Sequence, residues 1–458
     1  MTKISSQKIK LDLARDPAVQ QILALELNRQ QTELNLIASE NYADPLVLAI
    51  TGSILTNKYA EGYPHKRYYG GCQFADQIEE LAIERCKKLF QVNHPINITS
   101  GDTPVEHIPV EHVSVGHVNV QPHAGSQANL AAYFGVLELG DTILGMSLAE
   151  GGHLTHGHKV SFSGKFYNSV SYGVNPETEQ LDYQQIAQLA DQHKPKLLIC
   201  GASAYSRIID FEKLAQITKA HNIILMADIA HIAGLVAVGL HPSPIPHAQI
   251  VTSTTHKTLR GPRGGLIMCQ SEFSEQIDKA VMPGTQGGPL MHVIAAKAVA
   301  FELALQPEFK IYQQQVLTNT KLMCQTLINL GYRVVSGGTD NHLFMLDLRN
   351  QKITGAEAEK VLGLAGITVN RNCIPGDPEK PWITSGIRIG TAAITTRGMR
   401  EPEVQEIAHL IHEALQNRSN LAKLVSIKSR VNILCNLFSL DYNLAPDINI
   451  NQNQVSLN

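Results

Sequence analysis

The chain has little of what marks a membrane, exported or nucleic-acid-binding protein. No apolar run approaches the roughly 20 residues needed to cross a bilayer. The opening MTKISSQKIKLDLARD lacks the apolar core of an export signal. The 7 cysteines (Cys72, Cys86, Cys200, Cys269, Cys324, Cys373, Cys435) are odd in number and never in CxxC spacing. That argues against a disulfide framework or a cysteine zinc site, and for reduced thiols in a cytoplasmic setting. Formal net charge is only −3 with no sustained basic stripe, which excludes nucleic-acid binding as the main role. Tryptophan occurs once, at Trp382, so its surroundings carry more interest than one ring of many would.

What is present is an ordinary globular composition spread over 458 residues, too many for one compact core. Asp16 to Gln31 opens on Asp-Pro and carries apolar residues near helical spacing, which predicts an amphipathic N-terminal helix. From Leu81 to Leu303 short apolar strands (TILGM, KLLIC, IILMAD, QIVTST, GLIMC) alternate with helical stretches. This predicts an α/β fold with a mostly parallel sheet wrapped by helices. A second α/β unit follows: a helix from Phe309 to Leu330, strands at YRVVSG, NHLFMLDLR and ITVNRN, and helices running to Leu437. The expected organisation is an N-terminal arm (1–55), a large unit (56–308), a smaller C-terminal unit (309–440) and a loose Asn/Gln-rich tail (441–458).

The densest chemistry lies between Leu225 and Leu266. One strand ends on Asp228, with His231 three residues later; the next runs into Thr254, Thr255, His256 and Lys257 and then a Gly/Pro/Arg loop. Ligands of open α/β sheets bind at such strand ends. A lysine flanked there by hydroxyls and an imidazole suits a Schiff base with an aldehyde. An acid about thirty residues earlier suits the pyridinium partner of pyridoxal phosphate. Upstream, Gly125 and Ser126 precede a helical stretch and offer N–H groups, a hydroxyl and a positive helix end to a phosphate. The turn Met282–Leu290 is a second glycine-rich candidate for the same anion. Arg388, between glycines and small hydroxyl residues in TSGIRIGT, can grip a carboxylate through two parallel hydrogen bonds. His153 and His156 have HxxH spacing, but no carboxylate or cysteine near them in sequence completes a ligand set. A ring contact or proton relay is preferred to zinc, and no metal site is assigned. Tyr59, Tyr63, Tyr68 and Tyr69 crowd one Gly-rich stretch, which suggests a subunit interface or a pocket wall.

These motifs together (LTNKYAEGYPHKRYYGG, NVQPHAGSQAN, GGHLTHG, DIAHIAGLVA, TSTTHKTLRGPRGG, PGTQGGPLMHVIAAKA, VVSGGTDNHL and TSGIRIGT) resemble those of the serine hydroxymethyltransferases. The likeness runs from Ala38 to beyond Gly398. It implies a fold-type-I pyridoxal-phosphate enzyme, with an aspartate-aminotransferase-like fold and a seven-stranded large-domain sheet. The activity implied is reversible transfer of the serine hydroxymethyl carbon to tetrahydrofolate, yielding glycine and 5,10-methylenetetrahydrofolate. By this resemblance Lys257 carries the cofactor as an aldimine that passes through a quinonoid, Asp228 pairs with the pyridine nitrogen, and His231 stacks on the ring. Ser203 hydrogen-bonds the phenolic oxygen, while Gly125, Ser126 and His256 hold the phosphate and Thr254 and Arg263 support the lysine loop. Tyr59 and Gly288 reach the phosphate from a neighbouring subunit, so a homodimer (or a tetramer of such pairs) is expected. Arg388 binds the amino acid's carboxylate with Ser39 and Tyr69 beside it, and His153 is also assigned to the substrate. Glu61 handles the proton of the hydroxymethyl group or folate carbon. The implied folate wall is Leu148, Gly152, His153, Leu154, Asn372, Lys380, Pro381 and Trp382.

The chain departs from the family in places. Residues 93–118 are an insertion in which His107, His112 and His117 recur every five residues, a period that suits neither a helix face nor a strand face; a surface hairpin or loop is expected. Ala124 stands where the family commonly has serine, which predicts slightly weaker cofactor retention. Glu150 also departs from the common pattern, and Trp382 falls beside Lys380 in the folate segment. A folate-independent aldolase of β-hydroxy amino acids would share Lys257, Asp228 and Arg388, but would not need GGHLTHG and Asn372.

Overall fold

The computed structural model describes residues 15–92 and 115–440. Its centre is a seven-stranded sheet in the order Val115–Asn119, Gly265–Gln270, Ile250–Thr254, Ile224–Asp228, Leu197–Cys200, Thr142–Met146, Asn168–Tyr172. Gly265–Gln270 is antiparallel to both its neighbours; every other pairing is parallel. The five strands expected from apolar runs all form. Leu197–Cys200 is buried at every position, as a parallel strand covered on both faces must be. Its side chains alternate between two cores: Leu198 and Cys200 join one with Leu144 and Leu225, while Leu197 and Ile199 join the other with Ile143 and Met226.

The two outer strands have no apolar run to announce them. Asn168–Tyr172 reads NSVSY and is mostly open to solvent, as an edge strand can be. Val115–Asn119 corrects the expectation of a surface hairpin over 93–118, because the last residues of that segment pair antiparallel with Gly265–Gln270. His117 there sets a ring nitrogen 2.8 Å from the Asp278 carboxylate, and Asn119 donates to the same oxygen at 2.7 Å. His107 and His112 lie outside the described residues.

A second, four-stranded antiparallel sheet runs Arg333–Val334, Leu343–Asp347, Gly386–Gly390, Asn370–Asn372. It packs with the helices Pro307–Asn329, Glu401–Gln416 and Leu421–Leu437 around Phe344, Leu346, Ile387 and Ile389. The ITVNRN segment is split: Ile367–Thr368 pairs with Leu34–Asn35, and only Asn370–Asn372 joins the four-stranded sheet. Leu34 and Leu36 are thereby drawn into the smaller core.

The helix Pro17–Thr32 forms as expected, capped by the Asp16 carboxylate accepting from Val19 N–H. Its apolar residues, however, are incompletely covered: none is fully buried, and Val19, Ile22, Leu23 and Leu25 are exposed. Among the described residues no helix is long and apolar enough to cross a membrane.

Candidate active site

The carboxyl ends of the central strands open onto a cavity of about 530 Å³. Asp228 is the last residue of its strand, and two side chains converge on it. Asn129, one turn into the helix Gly125–Val136, donates to Asp228 Oδ2 at 2.9 Å, and its own carbonyl accepts from Thr252 Oγ1 at 2.6 Å. His156 Nε2 lies 3.1 Å from the same carboxylate oxygen. Since His156 Nδ1 accepts the His153 main-chain N–H (3.3 Å), the ring proton sits on Nε2 and is donated to the acid. Burial pushes the Asp228 carboxyl up, but these hydrogen bonds and the neighbouring imidazoles outweigh it and hold the group well below the usual carboxylate range. The fold also corrects the sequence picture of an HxxH pair without an acid: His153, His156 and Asp228 present ligand-type atoms within 4.8 Å of one another. Both ring nitrogens of His156 are already engaged, so it acts as a support for the carboxylate.

Lys257 is 9% exposed and points into the same cavity. Burial draws its ammonium down to about 8 from 10.5, which leaves roughly a tenth as free amine at pH 7, far more than an exposed lysine has. Its main chain is pinned: Asn41 Nδ2 donates to Lys257 O at 3.0 Å, and Thr258 Oγ1 donates to His231 O at 2.8 Å. His231 Nδ1 sits 3.3 Å from His342 Nε2 with the rings stacked at 5.5 Å. Burial pulls both imidazoles below their ordinary range, so both are neutral.

At the cavity's other end Gly125 and Ser126 start their helix beside Thr254 and His256. A Cβ on Gly125 would fall 2.6 Å from Thr254 Cγ2, so only glycine lets the turn close on that strand. His256 Nδ1 is buried with no hydrogen-bond partner among the described residues, an acceptor or donor left for something absent from the chain. A lysine amine, an ionised acid and a phosphate-sized set of N–H, hydroxyl and imidazole groups in one cavity fit a pyridine aldehyde bearing a phosphate. Arg388 projects from the strand Gly386–Gly390, 8% exposed, where burial lowers its pKa to about 10. It donates to Ser203 O (2.6 Å) and Asn370 Oδ1 (3.1 Å) and stands 3.5 Å from Ser39 Oγ. The bracketing Gly390 permits this, since its backbone lies so close to Ala38 that a Cβ would be 2.5 Å from Ala38 Cα.

Leu148, Gly152, His153, Leu154, Asn372 and Pro381 also line this cavity, as do Ser203 and Arg263. Lys380 and Trp382 do not: they stand just outside, with the ammonium 5.4 Å from the indole centroid and Trp382 63% exposed. Sequence reasoning missed Asn129 and Arg371 as lining residues, and missed the supporting role of His342. Asn129 was within reach, being four residues after Gly125 and hence on the same helix face. His342 comes from the distant smaller sheet and had no local signal.

Four further candidates gather elsewhere. Tyr59 Oη donates to Glu61 Oε1 at 3.0 Å and meets Tyr69 edge-on at 5.2 Å, and Gly288 lies against the Tyr59 ring. Glu61 lines a shallow hollow with Tyr68 and Met282–Gly287, apart from Lys257. Tyr59 and Tyr69 are about half exposed. Residues 13–411 of the chain match the family model described as serine hydroxymethyltransferase.

Proposed function

The chain belongs to the serine hydroxymethyltransferase family, enzymes that use pyridoxal phosphate with tetrahydrofolate as co-substrate, and from that premise we propose how its residues divide the work. The reading rests chiefly on one observation: a buried lysine drawn down to about 8 shares a cavity with an ionised, hydrogen-bonded Asp228 and a buried Arg388. Pyridoxal phosphate, bound through a lysine amine, supplies an electron sink for charge that develops at an amino acid's Cα.

Lys257 would hold the cofactor's aldehyde through its amine. Asp228, kept ionised by Asn129 and His156, holds a proton on the pyridine nitrogen. Gly125, Ser126 and His256 take the phosphate. The neutral His231, backed by His342, faces the ring. Arg388 grips the carboxylate of serine or glycine, with Ser39 and Ser203 fixing the guanidinium's approach. Leu148, Leu154, Asn372 and Pro381 form an apolar and amide wall for the folate, with Trp382 stacking on it at the rim.

Glu61 moves the proton of the hydroxymethyl oxygen or folate carbon, and does so in the cavity of a second copy of the chain. Its exposed cluster with Tyr59 and Tyr69 supports this, as does its separation from Lys257 within one chain. The expected assembly is a homodimer with two shared sites.

The test is an absorbance titration of the purified protein with pyridoxal phosphate, then glycine, then tetrahydrofolate. A long-wavelength band that grows sharply only when folate joins glycine is the expected result. A lysine adduct with no folate response would replace the transferase with the folate-independent aldolase.

A further inference from the structure

Lys297 lies in the helix Met291–Ala304 and does not line the Lys257 cavity. It is 1% exposed, and its ammonium donates to three main-chain carbonyls: Val120 at 2.6 Å, Gly265 at 2.7 Å and Pro122 at 3.0 Å. Among the described residues no carboxylate lies within ion-pair distance of it. Burial works against the charged form, but three acceptors require three N–H groups, which only the protonated amine has. An apolar side chain of that volume would fill the space without this desolvation penalty, so the charge calls for a reason.

The three carbonyls point to one. Val120 and Pro122 lead directly into Ala124, Gly125 and Ser126, while Gly265 ends the loop that begins at Lys257 and passes Arg263. The two segments meet at the turn: Gly265 N–H donates to Pro122 O at 3.0 Å, and a Cβ on Gly265 would lie 2.4 Å from Ala124 O. The neighbouring peptide is tied as well, because Gln286 donates to Gln121 O at 3.1 Å and accepts from His123 N–H at 2.9 Å.

Building on the reading that Gly125, Ser126 and His256 hold the cofactor's phosphate, we propose that Lys297 is a positioning residue for that anion-binding turn. Its ammonium turns the carbonyls of Val120, Pro122 and Gly265 inward, so that N–H groups and not carbonyl oxygens face the anion. It also places a positive charge behind the turn.

The experiment compares the cofactor-free full chain with its Lys297→Met variant. Dissociation constants are measured by absorbance titration for pyridoxal phosphate and for pyridoxal, which lacks the phosphate. The preference for the phosphorylated form is expected to fall about tenfold or more, the equivalent of one lost charge-assisted hydrogen bond, while pyridoxal affinity barely changes. Equal weakening of both ligands, or an unchanged ratio, would overturn the proposal and leave Lys297 a folding element. If Lys297→Met does not fold, Gly264→Ala decides the matter. It keeps the charge but sets a Cβ 2.5 Å from Lys297 Cε and 3.1 Å from Nζ, and is expected to lower the same ratio. Ser126→Ala separates the two layers of the argument. If wild type shows no preference for the phosphate, or Ser126→Ala leaves it intact, the assignment of the phosphate turn itself is wrong and the role of Lys297 falls with it.

Discussion

Around Lys257 almost every polar group is answered within the chain: Asp228 by Asn129 and His156, Arg388 by Ser203 and Asn370, the lysine's own carbonyl by Asn41. Around Glu61 the side chains stand half open, with Tyr59 and Tyr69 meeting edge-on and Glu61 lining a shallow hollow. Ile54, Tyr68 and Phe74, close by in sequence, are exposed as well, as are Val19, Ile22, Leu23 and Leu25 on the helix Pro17–Thr32. The proposed dimer would complete the second centre by association and cover these exposed apolar side chains. On the proposed reading the contrast is a division of labour: the electron-sink site is assembled inside one fold, whereas the proton-handling glutamate is presented outward.

The sharpest way to break this contrast is at its enclosed end. Lys257→Gln is expected to lower transfer activity on the order of ten-thousandfold and to abolish the lysine adduct in the absorbance spectrum. Glu61→Gln should lower the rate by about a hundredfold or more while leaving cofactor absorbance intact. Co-assembly of those two inactive chains should then restore activity, since one site of a mixed dimer would hold an intact lysine and an intact glutamate; silence in the mixture would place Glu61 in its own chain's cavity.

The pH dependence of cofactor capture tests the burial of Lys257 more gently. The nucleophile is the neutral amine, and its folded-state pKa is depressed to about 8. Capture by the cofactor-free chain should therefore speed up through pH 7 to 9 and level off above, roughly two units below an exposed lysine. A rise centred near 10 in stopped-flow absorbance would show the amine to be hydrated. At the cavity's rim the expected effects are smaller. Trp382→Ala should weaken tetrahydrofolate by about 1 kcal/mol, roughly fivefold, because one exposed stacking face is lost; unchanged affinity by calorimetry would remove Trp382 from the folate wall. Smallest is Ala124→Ser. Ala124 caps the helix Gly125–Val136 without a side-chain hydrogen bond. A hydroxyl there should add about 0.5–1 kcal/mol to stability in urea and modestly tighten cofactor binding.

Much of this architecture was legible from local pattern. Runs such as KLLIC and QIVTST have to become strands buried on both faces, and Asp-Pro had to start a helix. NSVSY and VGHVN were not legible, because an edge strand has a solvated face and needs no apolar run; only pairing with a neighbour makes it a strand. ITVNRN looked like one strand and became two, since its halves pair with segments hundreds of residues apart in sequence.

For the site, the sequence by itself singled out the groups proposed to react. Asp228 ends one strand and Lys257 follows three residues after the end of the adjacent parallel strand, positions set by hydrophobic periodicity, and Gly125–Ser126 begins a helix that the turn residues announce. Only the tertiary structure decided which groups support them. Asn129 and His156 meet at one carboxylate with Thr252 holding the Asn129 amide, His342 reaches His231 from the smaller sheet, and Lys297 gathers carbonyls from two loops. The physical reason is range. Backbone periodicity and turn chemistry act over a few residues and are written locally, whereas hydrogen bonds to a buried charge are made by whatever the packed core brings within about 3 Å.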